Sequence, residues 1–248
     1  MRNLILLLIV ALSFNLSAQD DDEGYIMYET VRLQPNHADL AGLKKAMSEH
    51  NKTYHKDGVY TALVWNISSG PDVGKLVWMM GPCTYTDLDS RPSGAHDDHW
   101  TSQVLPHIKS QKNGEYWRRD DDLSYKAGTQ SPMVSISYVE IREGQVHRLQ
   151  GMLKKVSDVV KATDDGQPWS VYYNEFRQGW KIGRHIALVS GINSWSDFDK
   201  PDNFRENFEK HHGENTWNAF NLEWDDVFSD GWDEIWTLNT DMSGPDGQ

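Results

Sequence analysis

Sulfhydryls are almost missing from this chain: Cys83 is the only cysteine in 248 residues. No intrachain disulfide can form, so stability has to come from an apolar core. Basic residues are also in short supply, with 24 Lys and Arg against 37 Asp and Glu and a net charge of −13. That balance argues against duplex nucleic acid as a partner, because phosphates call for Lys/Arg patches, and it argues against anionic lipid surfaces. Phosphate-cradling glycine motifs are absent, with neither G-x-G-x-x-G nor a P-loop. Nucleophile signatures are absent too: there is no G-x-S-x-G, and Cys83 has no histidine at a recognised spacing. Beyond the N-terminus, no apolar run is long enough to span a membrane.

What is present begins with "MRNLILLLIVALSFNLSAQD". One cation at Arg2, an apolar run over Leu4–Leu12 and the small residues Ser17 and Ala18 give the layout of a secretory signal peptide. Cleavage after Ala18 and export to the periplasm or outside the cell are expected. No cysteine stands at the cut to carry a lipid, and after cleavage no membrane contact is expected. Eleven Trp, ten Tyr and seven Phe then provide bulk for a core.

The chain repeats itself. A shift of 110 residues carries Tyr28 onto Tyr138, Val31 onto Ile141, Arg32 onto Arg142, and "LKK" at Leu43–Lys45 onto Leu153–Lys155. The same shift carries "YTDLD" at Tyr85–Asp89 onto "WSDFD" at Trp195–Asp199. Farther on the shift grows by nine, so that "EYW" at Glu115–Trp117 meets "EIW" at Glu234–Trp236. A run of matches in one order indicates internal duplication.

Both copies predict the same elements. "YIMYETVRL" and "MVSISYVEI" are strands rich in β-branched and aromatic residues. Helical spacing follows at Leu40, Leu43, Met47 and Tyr54, and again at Val146, Leu149, Leu153, Val156 and Val160. Hairpins at "SSGPDVG" and "RQGWKIG" join two further strands. Thr84 or Thr86, and Ser194 or Ser196, cap a helix start, with Tyr85, Leu88, Trp195 and Phe198 expected to pin it to the sheet. A second helix is expected over His96–Ile108 and Asp202–His212, then a last strand at Glu115–Arg119 and Glu234–Leu238. The order β-α-β-β-α-β is the split βαβ unit of ferredoxin-like folds. The expected layout is a signal peptide over 1–18, an acidic mobile segment over 19–24, and a first unit over 25–124. A linker over 125–132, a second unit over 133–243 and a mobile tail over 244–248 complete it.

Such a unit covers one sheet face with helices and leaves the other bare, so two copies in one chain can cover each other. Length, repeat and this logic resemble the dimeric α/β-barrel superfamily in its fused, two-copy form. The resemblance covers nearly the whole mature chain and rests on architecture, without a family motif matched residue by residue. It implies an α+β fold in which two tandem ferredoxin-like units pack sheet to sheet around a pocket. Relatives include cofactor-free monooxygenases, lactone isomerases, stress-responsive barrel proteins and haem enzymes of the chlorite dismutase type. Association of two or more copies stays open.

Strand alternation nominates the pocket wall: Tyr28 and Arg32, then Tyr138, Glu140 and Arg142, with Trp117 and Trp236 from the last strands. A lining of Tyr, Arg, Glu and Trp suits a small organic molecule, and equally suits buried structural ion pairs. "HDDH" puts His96 and His99 on one helical face, where a divalent cation could bind. No third ligand stands at a diagnostic spacing, so a solvated helix start is the weightier reading and no metal is assigned. His211 and His212 lie in the second helix of copy two, and the resemblance implies that a proximal haem ligand is conceivable there, because the haem relatives use a histidine from their second copy. No haem-attachment signature accompanies them, so no cofactor is assigned. The expected function is binding of a small molecule in an aromatic and polar pocket, and the alternative is a cofactor-free or haem-dependent enzyme of the same fold.

Overall fold

A computed structural model describes residues 24–164, 166–176 and 185–245. The signal peptide, nearly all of the acidic segment and the "RQGWKIG" turn lie outside the described residues. The first copy runs β1 (Met27–Pro35), α1 (Leu40–Tyr54), β2 (Ala62–Ser69), β3 (Leu76–Cys83), α2 (Tyr85–Leu88), α3 (Ala95–His99) and β4 (Ile108–Tyr125). The second runs β5 (Met133–Ile141), α4 (Val146–Thr163), β6 (Trp169–Asn174), β7 (Ile186–Ile192), α5 (Phe204–His212), α6 (Thr216–Val227) and β8 (Phe228–Leu238).

All eight strands close into one antiparallel barrel in the order β1-β3-β2-β8-β5-β7-β6-β4. Each copy contributes the same four-strand arrangement, β4-β1-β3-β2 and β8-β5-β7-β6. Two seams join them. Trp65 to Ser69 of β2 pair with Leu238 to Ile235 of β8, and Trp117 to Tyr125 of β4 pair with Asn174 to Trp169 of β6. The sheets therefore hydrogen-bond edge to edge as well as facing each other, and among the described residues no edge strand is left open.

The helices lie outside. On α1, Leu43, Ala46, Met47, His50 and Asn51 form one buried stripe at helical spacing, and the apolar members pack on Val31, Leu33 and Trp78. On α4, Leu149, Met152 and Leu153 pack with Phe208 of α5 and Phe220 of α6. The duplicated words "YTDLD" and "WSDFD" are both capping boxes. Thr84 takes the Asp87 amide while Asp87 accepts the Thr84 amide at 2.7 Å, and Ser194 with Asp197 repeats the exchange.

Several expectations are corrected. Trp195 and Phe198 do not pin their turn to the sheet: their rings lean on each other at a tilt, centroids 5.9 Å apart, and remain 56% and 47% exposed. The last strands are longer than their aromatic cores suggested, because Asp120–Tyr125 continues β4 along β6 and Phe228–Asp233 begins β8. Of the expected tail, only Gly244 and Pro245 lie among the described residues. Ser243 and Gly244 are buried, Ser243 Oγ accepts the Val64 amide at 3.0 Å, and the Gly244 amide donates to the Ala62 carbonyl at 2.8 Å.

Gly244 sits so close to the end of α1 that a Cβ would lie 1.9 Å from the His55 carbonyl oxygen. Gly244→Ala should therefore cost about 1–3 kcal/mol through overpacking, measured as a fall in the urea midpoint at unchanged slope.

Candidate functional site

Inward-facing residues of both copies enclose a cavity of about 320 Å³ along the barrel axis. Aromatic walls come from Tyr28, Trp65, Trp117, Tyr138, Tyr172 and Trp236, and Met79, Ile136, Ala187 and Val189 fill the spaces between them. At the mouth stand Pro82, the 128–131 segment, Pro168 and Pro245. That end collects the starts of β1, β2, β5 and β6 with the ends of β3, β4, β7 and β8, as the antiparallel register requires.

Charge closes the opposite end. Arg32 Nη1 donates to Asp72 Oδ2 at 3.0 Å and to the Glu234 carboxylate at 3.0 and 3.1 Å, while Nη2 donates to Tyr138 Oη at 3.1 Å. Glu234 also accepts Trp236 Nε1 at 2.7 Å and Trp232 Nε1 at 3.2 Å. Burial alone would lower the Arg32 pKa, but Tyr138, Glu234 and Asp72 outweigh it and hold the guanidinium above its ordinary range. An ion pair satisfied this fully is part of the floor. It also ties β1 of one copy to β8 of the other.

The sequence-nominated residues thus divide. Tyr28, Trp117, Tyr138 and Trp236 line the cavity. Arg32 lies beneath it in the ion pair, and Glu140 is buried one alternation beyond Tyr138, outside the lining. Arg142 is a correction. β5 ends at Ile141, so alternation no longer governs it. Its exposed guanidinium donates to the carbonyls of Asp225, Asp226 and Phe228 and caps the end of α6. The duplicated arginine is therefore used in two ways, inside in copy one and outside in copy two.

Several wall residues escaped the sequence reading, Trp65, Met79 and Tyr172 among them. Trp65 and Met79 lie in continuous apolar strands, where alternation carries no signal. Tyr172 sits in "WSVYYNEF", where adjacent tyrosines face opposite ways and the sequence does not say which turns inward. Trp65 matters most, because its indole nitrogen is buried with no hydrogen-bond partner. The Tyr28 and Tyr172 rings meet edge to face at 6.1 Å. Burial pushes the Tyr172 phenol up to about 12, with Tyr28 adding to the rise and Arg119 opposing it, and burial likewise raises Tyr28. Both phenols remain protonated donors at neutral pH.

The nominated histidines lie away from the cavity. His96 and His99 pack on the outer side of the first sheet, against His50 of α1 and His55, which caps the end of that helix. The fold thus brings His96 imidazole neighbours from a distant stretch of the chain that no spacing rule connects to it. Desolvation, reinforced by neighbouring imidazoles, lowers the pKa of His50 to about 3, and desolvation lowers that of His55 to about 4. In copy two, His212 Nε2 donates to the Lys155 carbonyl at 3.0 Å and its ring packs on Phe208 at 4.5 Å. His211 is exposed, so neither residue is arranged as an axial ligand above an open space.

Barrel, outer helices and the aromatic cavity between the two copies together define the dimeric α/β-barrel architecture with both units in one chain. Solved structures share it. A monooxygenase-like protein from Lactobacillus acidophilus NCFM is similar at 13% identity and a TM-score of 0.53, over 90% of this chain and 97% of that one. An anthrone oxidase-like protein is similar at 12% identity and 0.54, over 88% and 92%. A chlorite dismutase-like protein is similar at 9% and 0.51, over 88% and 96%. At such identities the likeness is one of fold. No family model and no curated protein matches the sequence. Among the described residues, no helix is long and apolar enough to cross a membrane.

Proposed function

We propose that this chain, exported by its N-terminal segment, binds a small planar aromatic molecule inside the barrel. One observation carries the reading: a cavity walled by aromatic side chains, among them Trp65, whose indole nitrogen is buried with no hydrogen-bond partner. A ligand carbonyl or ether oxygen would satisfy that donor, with stacking against Trp117, Trp236 and Tyr172 supplying most of the contact. No carboxylate, imidazole or amine lines the cavity among the described residues. Binding therefore finds more support there than proton abstraction from a substrate.

Anthrone, a flat tricyclic ketone, is a suitable probe. Because three tryptophans line the wall, its binding should quench intrinsic fluorescence with one-to-one stoichiometry. Trp65→Phe should keep the fold and weaken binding by about tenfold, the effect of one lost hydrogen bond of about 1–1.5 kcal/mol. Equal quenching of both proteins would defeat the assignment of Trp65. Oxygen uptake with anthrone in air would move the reading to the oxygenase branch. Protein from haem-replete cells should show no Soret band, since His211 and His212 are not placed to ligate an iron.

A further inference from the structure

The four histidines on the outside of the first unit meet in a way the barrel does not require. One ring nitrogen from each of His50, His55 and His96 lies within 4.8 Å of the other two. His55 Nδ1 stands 2.7 Å from the Tyr60 carbonyl oxygen, which can only accept, so Nδ1 carries the proton and Nε2 is bare. His96 Nδ1 stands 2.7 Å from the Asp97 carboxylate, which fixes its tautomer in the same way. The two bare Nε2 atoms then face each other at 3.0 Å, lone pair to lone pair. That approach is repulsive unless something positive sits beside both.

His50 adds a second anomaly. It is fully buried, with Nδ1 3.3 Å from His99 Nδ1 and Nε2 without any partner. A single proton shared between His55 and His96 would relieve their pair and leave His50 as it is. A metal ion relieves all three. Tetrahedral Zn–N bonds of about 2.0–2.1 Å set neighbouring ligand nitrogens about 3.3–3.4 Å apart; the His55 and His96 nitrogens stand 3.0 Å apart, and the His50 nitrogen, within 4.8 Å of both, has to draw in on binding. Outer contacts fit as well, because metal-bound imidazoles as a rule donate their other N–H to a carbonyl or carboxylate. Tyr60 and Asp97 accept in that manner. Trp78 and Trp100 shield the group, with ring centroids 5.1 Å from His55 and His50 respectively. Immediately after His99 the chain widens into a π-helical turn over Trp100–Val104, an irregularity frequent at functional sites.

We propose that His50, His55 and His96, with His99 adjoining, bind a first-row divalent transition cation of the zinc type and clamp α3 to α1. Imidazole ligands select this class over magnesium or calcium, which take oxygen. The site lies across the sheet from the cavity: Trp78 faces the histidines, while its neighbour Met79 lines the barrel. The proposal therefore stands apart from the small-molecule reading.

The test is calorimetric titration of Zn²⁺ into the tag-free, chelator-stripped mature chain, with melting curves alongside. One equivalent should bind and the melting temperature should rise. His96→Gln is a conservative change at a half-buried position and should keep the fold. It should weaken zinc binding at least about 100-fold, since even outer-shell changes cost 10–100-fold. His55→Gln should do the same, whereas His107→Gln, whose ring sits on Asp39, should change nothing. If the wild-type chain takes up no stoichiometric zinc, or if His96→Gln binds it as tightly, the proposal falls. The facing pair would then be a shared proton.

Discussion

Replacing Arg32 with leucine should cost the fold about 3–5 kcal/mol, more than any other single change in the barrel interior. The guanidinium is 3% exposed and neutralises Glu234 and Asp72, which approach it from β8 and from the β2–β3 turn. Leucine fills much of the space and leaves the Glu234 carboxylate buried with only the indole N–H groups of Trp232 and Trp236. Breaking one side of a buried pair is costly because the other charge stays behind. Removing both charges should therefore recover part of the loss, and Arg32→Leu with Glu234→Leu should be more stable than Arg32→Leu alone. Arg142→Ala is the matched control at the duplicated position. Its side chain is exposed at the end of α6, and the loss should stay within about 1 kcal/mol. Urea melts of the four proteins decide the matter. Equal losses at Arg32 and Arg142 would show that the two copies use their arginines alike, contrary to the geometry.

Ala187→Trp should abolish ligand binding while leaving the barrel folded. Ala187 faces the cavity from β7, in register with Tyr138 on one side and Tyr172 on the other. Its small side chain is what keeps the centre of the aromatic wall open. An indole there would occupy the space between the two phenols, where a planar ligand would stack. Overpacking should cost about 1–3 kcal/mol at most, because the added volume enters a cavity rather than a filled core. Anthrone quenching should fall at least about 100-fold, far beyond the tenfold expected for Trp65→Phe, since a blocked cavity excludes the ligand rather than weakening one contact. Quenching at wild-type strength in a folded Ala187→Trp protein would place the bound probe elsewhere on the surface.

Much of the fold was legible in the sequence because duplication prints it twice. The 110-residue shift aligned Tyr28 with Tyr138 and "YTDLD" with "WSDFD", and those words became matching capping boxes in matching places. Alternation along β1 and β5 was readable because one face carries Tyr, Thr and Arg and the other Val and Ile. It failed at Arg142 because strand ends are set by backbone pairing, which one residue's polarity does not reveal. The histidine group was illegible for a different reason. His50 and His55 are separated from His96 and His99 by two strands and a hairpin, and only the packing of α1 against α3 brings them together. Spacing rules find ligands that share one element, and this group is split between two.

The two hydrogen-bonded seams bear on how the chain is made. When residues 27–125 have left the ribosome and the rest has not, β2 and β4 are sticky margins awaiting β8 and β6. Another nascent half offers those same margins. A polypeptide severed within 126–132 would therefore have a ready route to symmetric self-pairing, each fragment serving as stand-in for the absent sibling.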